Sequence, residues 1–316
     1  MWKNRHIRLL KQEIEILLTP LSDVSGLTCL VKEPLTEATR ALSTKSTHDP
    51  PWIILPSIVC QSISGRYKRA ISAAAALQLL VTAGDIFDDI EDADSPQSLS
   101  SKYGSSISNN IATILLILAE KAIARLKVNG VDTDTVVRVQ DTINSYYTTA
   151  CIGQHLDLSL SPIGNVTEDE YLKIVSMKSA SQIECACYVG AILAKADQKL
   201  IDIFAAFGHN LGMAAQISND ILGILKGNDI SRKKITLPIV YALTQADNYS
   251  LKQLHNLFDK PEYEPDPGQI KDLLLRTGSI NYALVKAELF KQKALDFLTR
   301  AKRNGVNVER LKLFVN

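Results

Sequence analysis

The part of the sequence best able to do chemistry is an acidic run that ends an apolar segment, Leu77–Asp94. The segment reads LQLLVTAGDIFDDIEDAD and has six acidic residues and no basic one. Helical spacing would put Asp85, Asp88, Asp89 and Asp92 on one face. Carboxylates this close repel each other unless a cation lies among them. Because all the ligands are oxygens, we predict that Asp88, Asp89 and Asp92 bind Mg²⁺ and form the catalytic centre.

A solvated acidic helix end is the ordinary alternative for this run. Ile86, Phe87 and Ile90 make its flanks too apolar for a purely exposed tip, so the pattern favours a functional site. Ala83 and Gly84, one turn before the acids, are candidate substrate-pocket residues together with Phe87. Small residues serve equally well for close helix packing.

A second polar motif, QISNDILGILK at residues 216–226, follows another apolar run. Asn219 and Asp220 could give further oxygens to the metal. Basic side chains that could meet phosphate oxygens follow closely: Lys226, Arg232, Lys233 and Lys234. Metal and basic residues would then hold one diphosphate from two sides. A helix C-terminus that carries lysine and closes at Gly227 is the alternative, and this motif alone does not decide between them.

The elements that must position these motifs are predicted to be helices. Apolar residues recur at helical spacing along almost the whole chain, and alternating β-branched runs are hard to find, so we predict an all-α fold. About ten helices are expected; Met1–Leu18 is an amphipathic one, and Thr167–Glu170 is a capping box that starts another. Six turn-rich stretches predict breaks: Thr47–Pro51, Asp94–Gln97, Asn129–Val131, Ser161–Asn165, Gly227–Asp229 and Lys260–Gly268. No long linker divides the chain, so we predict one domain over residues 1–316, with its motif core at about 52–243.

The overall composition excludes some partners. The 316 residues carry 35 Lys+Arg and 34 Asp+Glu, a net charge of +1, so no global field attracts nucleic acid or an anionic membrane. Apolar runs such as Ile111–Ala119 are too short to cross a bilayer, and we expect no stable membrane insertion. The five cysteines form no CxxC pair and lie among apolar or small residues, which favours buried thiols in a reducing compartment. A soluble cytoplasmic protein is expected.

In combination, the motifs resemble those of the trans-isoprenyl diphosphate synthase (polyprenyl synthetase) family. DDIED at residues 88–92 resembles its first aspartate-rich motif, and QISNDILG at 216–223 resembles the second, Q-x-x-D-D-x-x-D. GQHLD at 153–157, MKSA at 177–180 and KITLP at 234–238 also match family segments, in order. The resemblance implies an isoprenoid-synthase helical bundle with a central apolar cavity, Mg²⁺ as cofactor and an allylic prenyl diphosphate as substrate. It also implies a homodimer as a candidate assembly.

The resemblance further implies roles for single residues. Lys178 and Lys234 would be diphosphate ligands, and Gln154, Asp157 and Gln216 would line the substrate site. For each of these residues taken singly, an ordinary surface or packing role is the alternative.

The chain departs from chain-elongating members of that family. Those members hold isopentenyl diphosphate with an upstream G-K-R-x-R-P segment and an Arg–Arg pair after the first motif, whereas this chain has HDPPW at 48–52 and ADSPQSLSS at 93–101. Without fixed cations, a second diphosphate would lie beside the first against Coulomb repulsion. Asn219 and Gly223 stand where elongators have acids. N-D-x-x-G-x-x-K is similar to the N-D-x-x-S-x-x-K-E metal motif of class I terpene synthases, although Gly223 lacks the hydroxyl and Gly227 the final carboxylate.

The expected reaction is therefore Mg²⁺-assisted ionisation of an allylic diphosphate. The favoured outcome is that of a class I terpene synthase, a lyase in which the cation is attacked by its own distal double bond and then loses a proton. A prenyltransferase is the close alternative, with isopentenyl diphosphate or a peptide as acceptor. DIFDDIEDAD, AQISND and GNDI resemble the prenyltransferases that modify tryptophan in a bacterial quorum-sensing peptide. A non-catalytic subunit of a heteromeric prenyl synthase is the third interpretation, motivated by the incomplete second motif.

Overall fold

The computed structural model describes residues 2–37, 40, 42–43, 51–92, 97–160, 166–259 and 266–315. Within these ranges every regular element is a helix, which confirms the all-α prediction. The α-helices are α1 (Trp2–Leu18), α2 (Leu27–Lys32), α3 (Leu55–Ser64), α4 (Ile71–Asp92), α5 (Leu99–Tyr103), α6 (Ser105–Ala124), α7 (Thr133–Leu158), α8 (Glu168–Val175), α9 (Ser181–Leu193), α10 (Gln198–Lys226), α11 (Asn228–Ser231), α12 (Leu237–Gln245), α13 (Asn248–Asp259), α14 (Pro267–Arg276), α15 (Ser279–Arg303) and α16 (Glu309–Lys312). Short 3₁₀ turns and one π-turn, Ser176–Ala180, join several of them.

The expectation of about ten helices was too low. The helices α2, α5, α11 and α16 have six, five, four and four residues, too few to show an apolar period in a sequence. Helix α1 and the break at Asn129–Val131 are confirmed, whereas the break predicted at Gly227–Asp229 is confined to Gly227, because α11 begins at Asn228. Parts of the other predicted breaks lie outside the described residues: 47–50, 94–96, 161–165 and 260–265.

The chain forms two compact units. The first comprises Met1–Asn144, Cys185–Ala205 and Leu298–Asn316, and the second comprises Ser145–Glu184 and Ala206–Phe297. Each unit is described by itself below, and the prediction of a single domain stays a prediction.

Helix α4 forms the core of the first unit. Its residues Ala73–Ala76 are fully buried, and the helix packs along α6, where Ala112, Ala119 and Ala122 are fully buried too. Small side chains on both helices let their backbones approach closely. The stretch Tyr67–Asp92 is long and apolar enough to cross a membrane by length and composition alone, but 83% of its apolar window is buried inside the protein. It is therefore accounted for as a core helix.

The core of the second unit is built around one face of α10. Ile217, Ile221 and Ile224 recur at helical spacing there and are almost fully buried. They pack in one cluster with residues of the shorter helices that follow, among them Ile230 of α11 and Leu237 of α12. Two regions that carry candidate chemistry, the π-turn and the α10 motif, thus belong to this unit.

The capping box at the start of α8 is confirmed. Thr167 Oγ1 accepts from the Glu170 amide at 3.2 Å, and the Thr167 amide donates to Glu170 Oε2 at 2.8 Å.

All five cysteines are free thiols. The expectation that they are buried holds for three of them and is wrong for Cys29 and Cys151, which are exposed.

Candidate functional site

The predicted metal ligands lie at the C-terminal end of α4. The helix runs without a break to Asp92, so the four aspartates keep the helical spacing that puts them on one face. Asp88 and Asp89 are half-buried, whereas Asp85 and Asp92 are exposed. This end of the helix thus offers carboxylates at the boundary between the core and solvent.

Arg40 is a basic partner that the sequence did not reveal. Its guanidinium forms an ion pair with Asp85, the first acid of the stripe. Since Arg40 lies far upstream of α4, no local pattern connects the two residues. The acidic run of α4 is therefore neutralised at its first position by the protein itself.

The donor chemistry of α4 fits Mg²⁺. All side-chain donors offered by Asp88, Asp89 and Asp92 are carboxylate oxygens, which a hard cation prefers. Among the residues that the structure describes, no three His, Cys, Asp or Glu side chains are grouped to hold an ion by themselves. The role of Asp88, Asp89 and Asp92 as Mg²⁺ ligands stays a prediction.

The predicted pocket residues of α4 have different surroundings. Ala83 is fully buried, Phe87 is half-buried and Gly84 is exposed. A Cβ added at Gly84 would meet nothing within 4 Å. Gly84 therefore lies beside open space, as a pocket position requires, whereas the burial of Ala83 suits close packing equally well.

In the second unit, a π-turn positions Lys178. The turn Ser176–Ala180 is held between two glycines of other helices: Gly153 of α7 and Gly212 of α10. A Cβ at Gly153 would lie 2.8 Å from Lys178 Cα, and one at Gly212 would lie 3.0 Å from Ala180 Cβ and closer still to its Cα. Only glycine permits such contacts, so the two glycines fix the backbone of this turn. π-turns of this kind are often found at functional sites.

Two side chains that follow the π-turn donate hydrogen bonds to its carbonyl groups. Ser181 Oγ donates to the Met177 carbonyl at 2.6 Å, and Gln182 Nε2 donates to the Lys178 carbonyl at 2.8 Å. These bonds stabilise the widened turn. The polar residues Ser181 and Gln182, which follow the MKSA segment, therefore have a local structural role.

Lys178 and Asp157, two of the predicted site residues, are brought together. Lys178 Nζ donates to Asp157 Oδ2 at 2.6 Å, and both side chains are about a quarter exposed. A charge-assisted bond of this length orients the ammonium group. Gln154, one turn before Asp157 on α7, is half-buried. The α7 motif thus adjoins the π-turn.

The motif on α10 has one exposed and one buried oxygen donor. Asn219 is exposed, but Asp220 is only 5% exposed. Both oxygens of Asp220 accept hydrogen bonds, from Tyr171 Oη at 2.5 Å and from Gln216 Nε2 at 2.7 Å. Gln216, predicted to line the substrate site, therefore holds Asp220. Tyr171 was missed because a buried aromatic on α8 gives no signal in the sequence.

Burial also changes the ionisation of Asp220. Desolvation raises the pKa of Asp220 to about 6, while the hydrogen bonds from Tyr171 and Gln216 and the charge of Lys234 act in the opposite direction. The pKa of Tyr171 is raised by burial and by the neighbouring Asp220 carboxylate. Asp220 thus accepts a protein donor on each oxygen, and its role as a metal ligand stays a prediction.

The predicted phosphate-binding residues follow α10. Lys226 and Arg232 are exposed, whereas Lys233 and Lys234 are half-buried. Lys234 acts on the pKa of Asp220, so its charge lies near the α10 motif. The segment that carries these residues turns sharply at Gly227, which has a φ of 82°.

The comparisons with known proteins decide the family. A family model described as polyprenyl synthetase matches residues 51–274, more than half of the chain. The chain belongs to the polyprenyl synthetase family. The match covers the α4 motif, the π-turn and the α10 motif, and it confirms the resemblance inferred from them.

Relatives and solved structures agree with this assignment. The chain is 30% identical over 206 residues to geranylgeranyl diphosphate synthase of Mycobacterium tuberculosis, a match that covers 62% of this chain and 59% of that protein's length. It is 28% identical over 248 residues to tryptophan prenyltransferase ComQ of Bacillus subtilis, covering 77% of this chain and 79% of ComQ. The structure of geranylgeranyl pyrophosphate synthetase from Pyrococcus horikoshii superposes with a TM-score of 0.81 at 25% identity, covering 98% and 94% of the two chains. The isoprenoid-synthase-type bundle is thereby confirmed.

One expectation is corrected by these relatives. We expected a terpene synthase, a lyase, as the main activity, and this is wrong, because the relatives of this polyprenyl synthetase are named diphosphate synthases and tryptophan prenyltransferases. The Asn219–Gly223–Lys226 pattern was interpreted as a terpene-synthase metal motif. An incomplete metal motif is compatible with both reactions that can follow ionisation, cyclisation and prenyl transfer. Prenyl transfer, the alternative, is supported instead.

Proposed function

We propose that this polyprenyl synthetase is a Mg²⁺-dependent prenyltransferase that ionises an allylic prenyl diphosphate and transfers the prenyl group to an acceptor. The observation that carries the proposal is the carboxylate stripe of Asp88, Asp89 and Asp92 at the half-buried end of α4, in a chain whose relatives are named for prenyl transfer. The substrate class and the metal come from the family and the donor chemistry together.

Each predicted site residue would have a separate role in this reaction. Bound Mg²⁺ supplies neutralising charge for the departing diphosphate. Asp88, Asp89 and Asp92 would hold it, while Lys178 and Lys234 would bind phosphate oxygens and stabilise the charge that accumulates as the C–O bond breaks. Asp157 holds the Lys178 ammonium in one direction through their 2.6 Å bond. Electrons from the acceptor then form the new bond to the allylic carbon, and the acceptor loses a proton.

Two acceptors are compatible with this chemistry. Isopentenyl diphosphate would give chain elongation, the reaction class of the relatives named diphosphate synthases. An electron-rich indole side chain of a peptide is the second candidate, favoured by one specific observation: the sequence has no basic segment at residues 48–52 and no Arg–Arg pair at 93–101. An uncharged acceptor needs no such cations.

The experiment that tests the proposal supplies both acceptors. Purified protein with Mg²⁺ is incubated with C10, C15 and C20 allylic diphosphates, alone, with isopentenyl diphosphate, or with a tryptophan-containing peptide, and products are identified by mass spectrometry. Longer diphosphates or a prenylated peptide support the proposal and name the acceptor. Consumption only without an acceptor, or none with any of them, overturns it, and the latter result favours the non-catalytic subunit.

The cellular setting is also part of the proposal. A soluble cytoplasmic enzyme, without nucleic-acid partners or stable membrane insertion, agrees with the near-zero net charge and with the burial of α4. A homodimer is proposed from the family alone, and sedimentation of the purified protein tests it.

A further inference from the structure

The carboxylate of Asp229 occupies the place of a side chain that α10 lacks. A Cβ built on Gly223 would lie 2.6 Å from Asp229 Oδ1, and closer still to its Oδ2 and Cγ. Real Cβ atoms essentially never approach a heavy atom within 3.0 Å. Any side chain at residue 223 would therefore have to displace this carboxylate, and the absence of one leaves room for it.

Gly223 lies on the functional face of α10. It follows Asn219 by four residues and Asp220 by three, so all three are neighbours on the helix surface. In the family pattern Q-x-x-D-D-x-x-D, residue 223 is the position of the third acid, and this chain has no side chain there. The Asp229 carboxylate therefore lies where the Cβ atom of that acid would be.

The backbone after α10 holds Asp229 in this position. Gly227 adopts a φ of 82° and reverses the chain, and Ile230, next to Asp229, is 1% exposed in the core of the second unit. The Asp229 carbonyl accepts the Lys234 amide at 2.8 Å. These constraints fix α11 against α10, so the position of the carboxylate follows from the fold of the segment.

Burial distinguishes Asp229 from Asp220, the other carboxylate near the end of α10. Asp220 is buried and already accepts two hydrogen bonds. Asn219 carries no charge, and Asp229 is half-buried. Asp229 is therefore a more accessible carboxylate than Asp220.

We propose that Asp229 supplies the carboxylate that the second motif lacks at residue 223, and that it completes the oxygen donors for Mg²⁺ bound together with diphosphate. This inference rests on the proposed function, because it assigns a further ligand to the Mg²⁺ and diphosphate that the proposed reaction needs. It also explains why Gly223 is tolerated: the acid is delivered by α11 and not by α10. Directly or through a bound water, the carboxylate offers the hard oxygen that Mg²⁺ prefers.

The test removes the carboxylate at residue 229 and, in a second variant, restores one at residue 223. Mg²⁺ binding to the full-length protein is measured by calorimetry in the presence of inorganic diphosphate, for the parent, for Asp229→Asn and for the double variant Gly223→Asp/Asp229→Gly. Asp229→Asn preserves shape and removes the charge, and we expect Mg²⁺ to bind about 10–100-fold more weakly. The double variant returns an acid to residue 223 and should regain most of the parent's affinity.

Controls separate ligand loss from structural damage. Asp296→Asn removes an exposed carboxylate from α15 and should leave Mg²⁺ binding unchanged. Thermal unfolding without metal should show that Asp229→Asn is folded, so that a loss of Mg²⁺ binding reports the lost charge. If the double variant does not fold, Asp229→Asn alone decides.

The outcomes also distinguish this inference from the proposed function. If the parent binds Mg²⁺ with diphosphate and transfers a prenyl group, but Asp229→Asn binds Mg²⁺ as tightly as Asp296→Asn does, only the role of Asp229 is overturned. A folded double variant that stays as weak as Asp229→Asn overturns it as well. If the parent neither binds Mg²⁺ with diphosphate nor consumes an allylic diphosphate, both proposals are overturned.

Discussion

Replacing Gly153 by alanine should damage both the stability of the fold and the placement of Lys178. The new Cβ would lie 2.8 Å from Lys178 Cα and 2.8 Å from the Met177 carbonyl carbon, and closer still to the Lys178 nitrogen. Ordinary carbon–carbon contacts are about 3.5–4.0 Å, so the two backbones must separate by roughly 1 Å. Backbone atoms cannot rotate away as a side chain can.

The expected magnitude follows from two opposing terms. Overpacking of a tight contact costs up to about 3 kcal/mol, and alanine gains about 1 kcal/mol over glycine within a helix. For a chain of 316 residues, the net destabilisation of about 2 kcal/mol corresponds to a fall in Tm of about 3 °C. Because a 1 Å misplacement of a substrate-binding group can cost about 100-fold in rate, we expect kcat/KM for an allylic diphosphate to fall by about that factor.

Gly84→Ala is the matched control for stability. It also replaces a helical glycine, but its Cβ would meet nothing within 4 Å, so the variant should be up to about 1 kcal/mol more stable than the parent. Thermal unfolding by circular dichroism and steady-state kinetics provide the two measurements. The reasoning is refuted if Gly153→Ala unfolds at the parent's temperature and retains its kcat/KM.

Three further predictions concern the metal, the phosphate contact and pH. Asp88→Ala should reduce prenyl transfer by about 100-fold or more while the protein remains folded, and parent-like turnover would contradict the assignment of the metal ligands. Lys178→Gln should weaken binding of inorganic diphosphate by about 10–100-fold, measured by calorimetry, since a charge-assisted bond is lost; unchanged affinity would remove Lys178 from the site. The folded-state pKa of Asp220, about 6, lies above the ordinary value of 3.8. In metal-free buffer the contribution of Asp220 to the free energy of unfolding is therefore fully present below about pH 4 and is lost as pH rises through 6. The pKa difference corresponds to a change of about 3 kcal/mol in the free energy of unfolding. Urea unfolding of Asp220→Asn should lack this pH dependence, and an equal dependence in both proteins would show that burial does not perturb the Asp220 carboxyl.

Much of the fold was predictable from local signals. The amphipathic period of α1 and the capping box at Thr167 are encoded by neighbouring residues, and both were predicted correctly. The four-residue helix α11 was not predicted, because its position depends on the burial of Ile230 and on the reversal at Gly227. Short elements of this kind are determined by tertiary packing more than by propensity.

The candidate site was predictable where its residues are close in sequence. The stripe on α4 is readable from spacing alone. The ion pair of Arg40 with Asp85, the Tyr171 bond to Asp220 and the approach of Asp229 to Gly223 join residues from different elements. A missing side chain at residue 223 could be read as the loss of a ligand, whereas the structure shows another residue in its place. The incorrect preference for a lyase followed from that apparent loss together with the missing basic residues at 48–52 and 93–101.

The π-turn also determines the rotational phase of a long helical segment. From Glu168 to Leu193 the chain is helical throughout, and the turn at residues 176–180 accommodates one more residue than a regular α-helical turn. Each residue of an α-helix advances the side-chain direction by about 100°. Because the widened turn absorbs its extra residue, deleting Ser179 would allow an uninterrupted α-helix and keep the direction of Tyr171. A deletion within the regular part of α8, for instance Lys173, would instead turn Tyr171 away from Asp220 by about that angle. The effect of a change in length therefore depends on whether it falls inside or outside the π-turn.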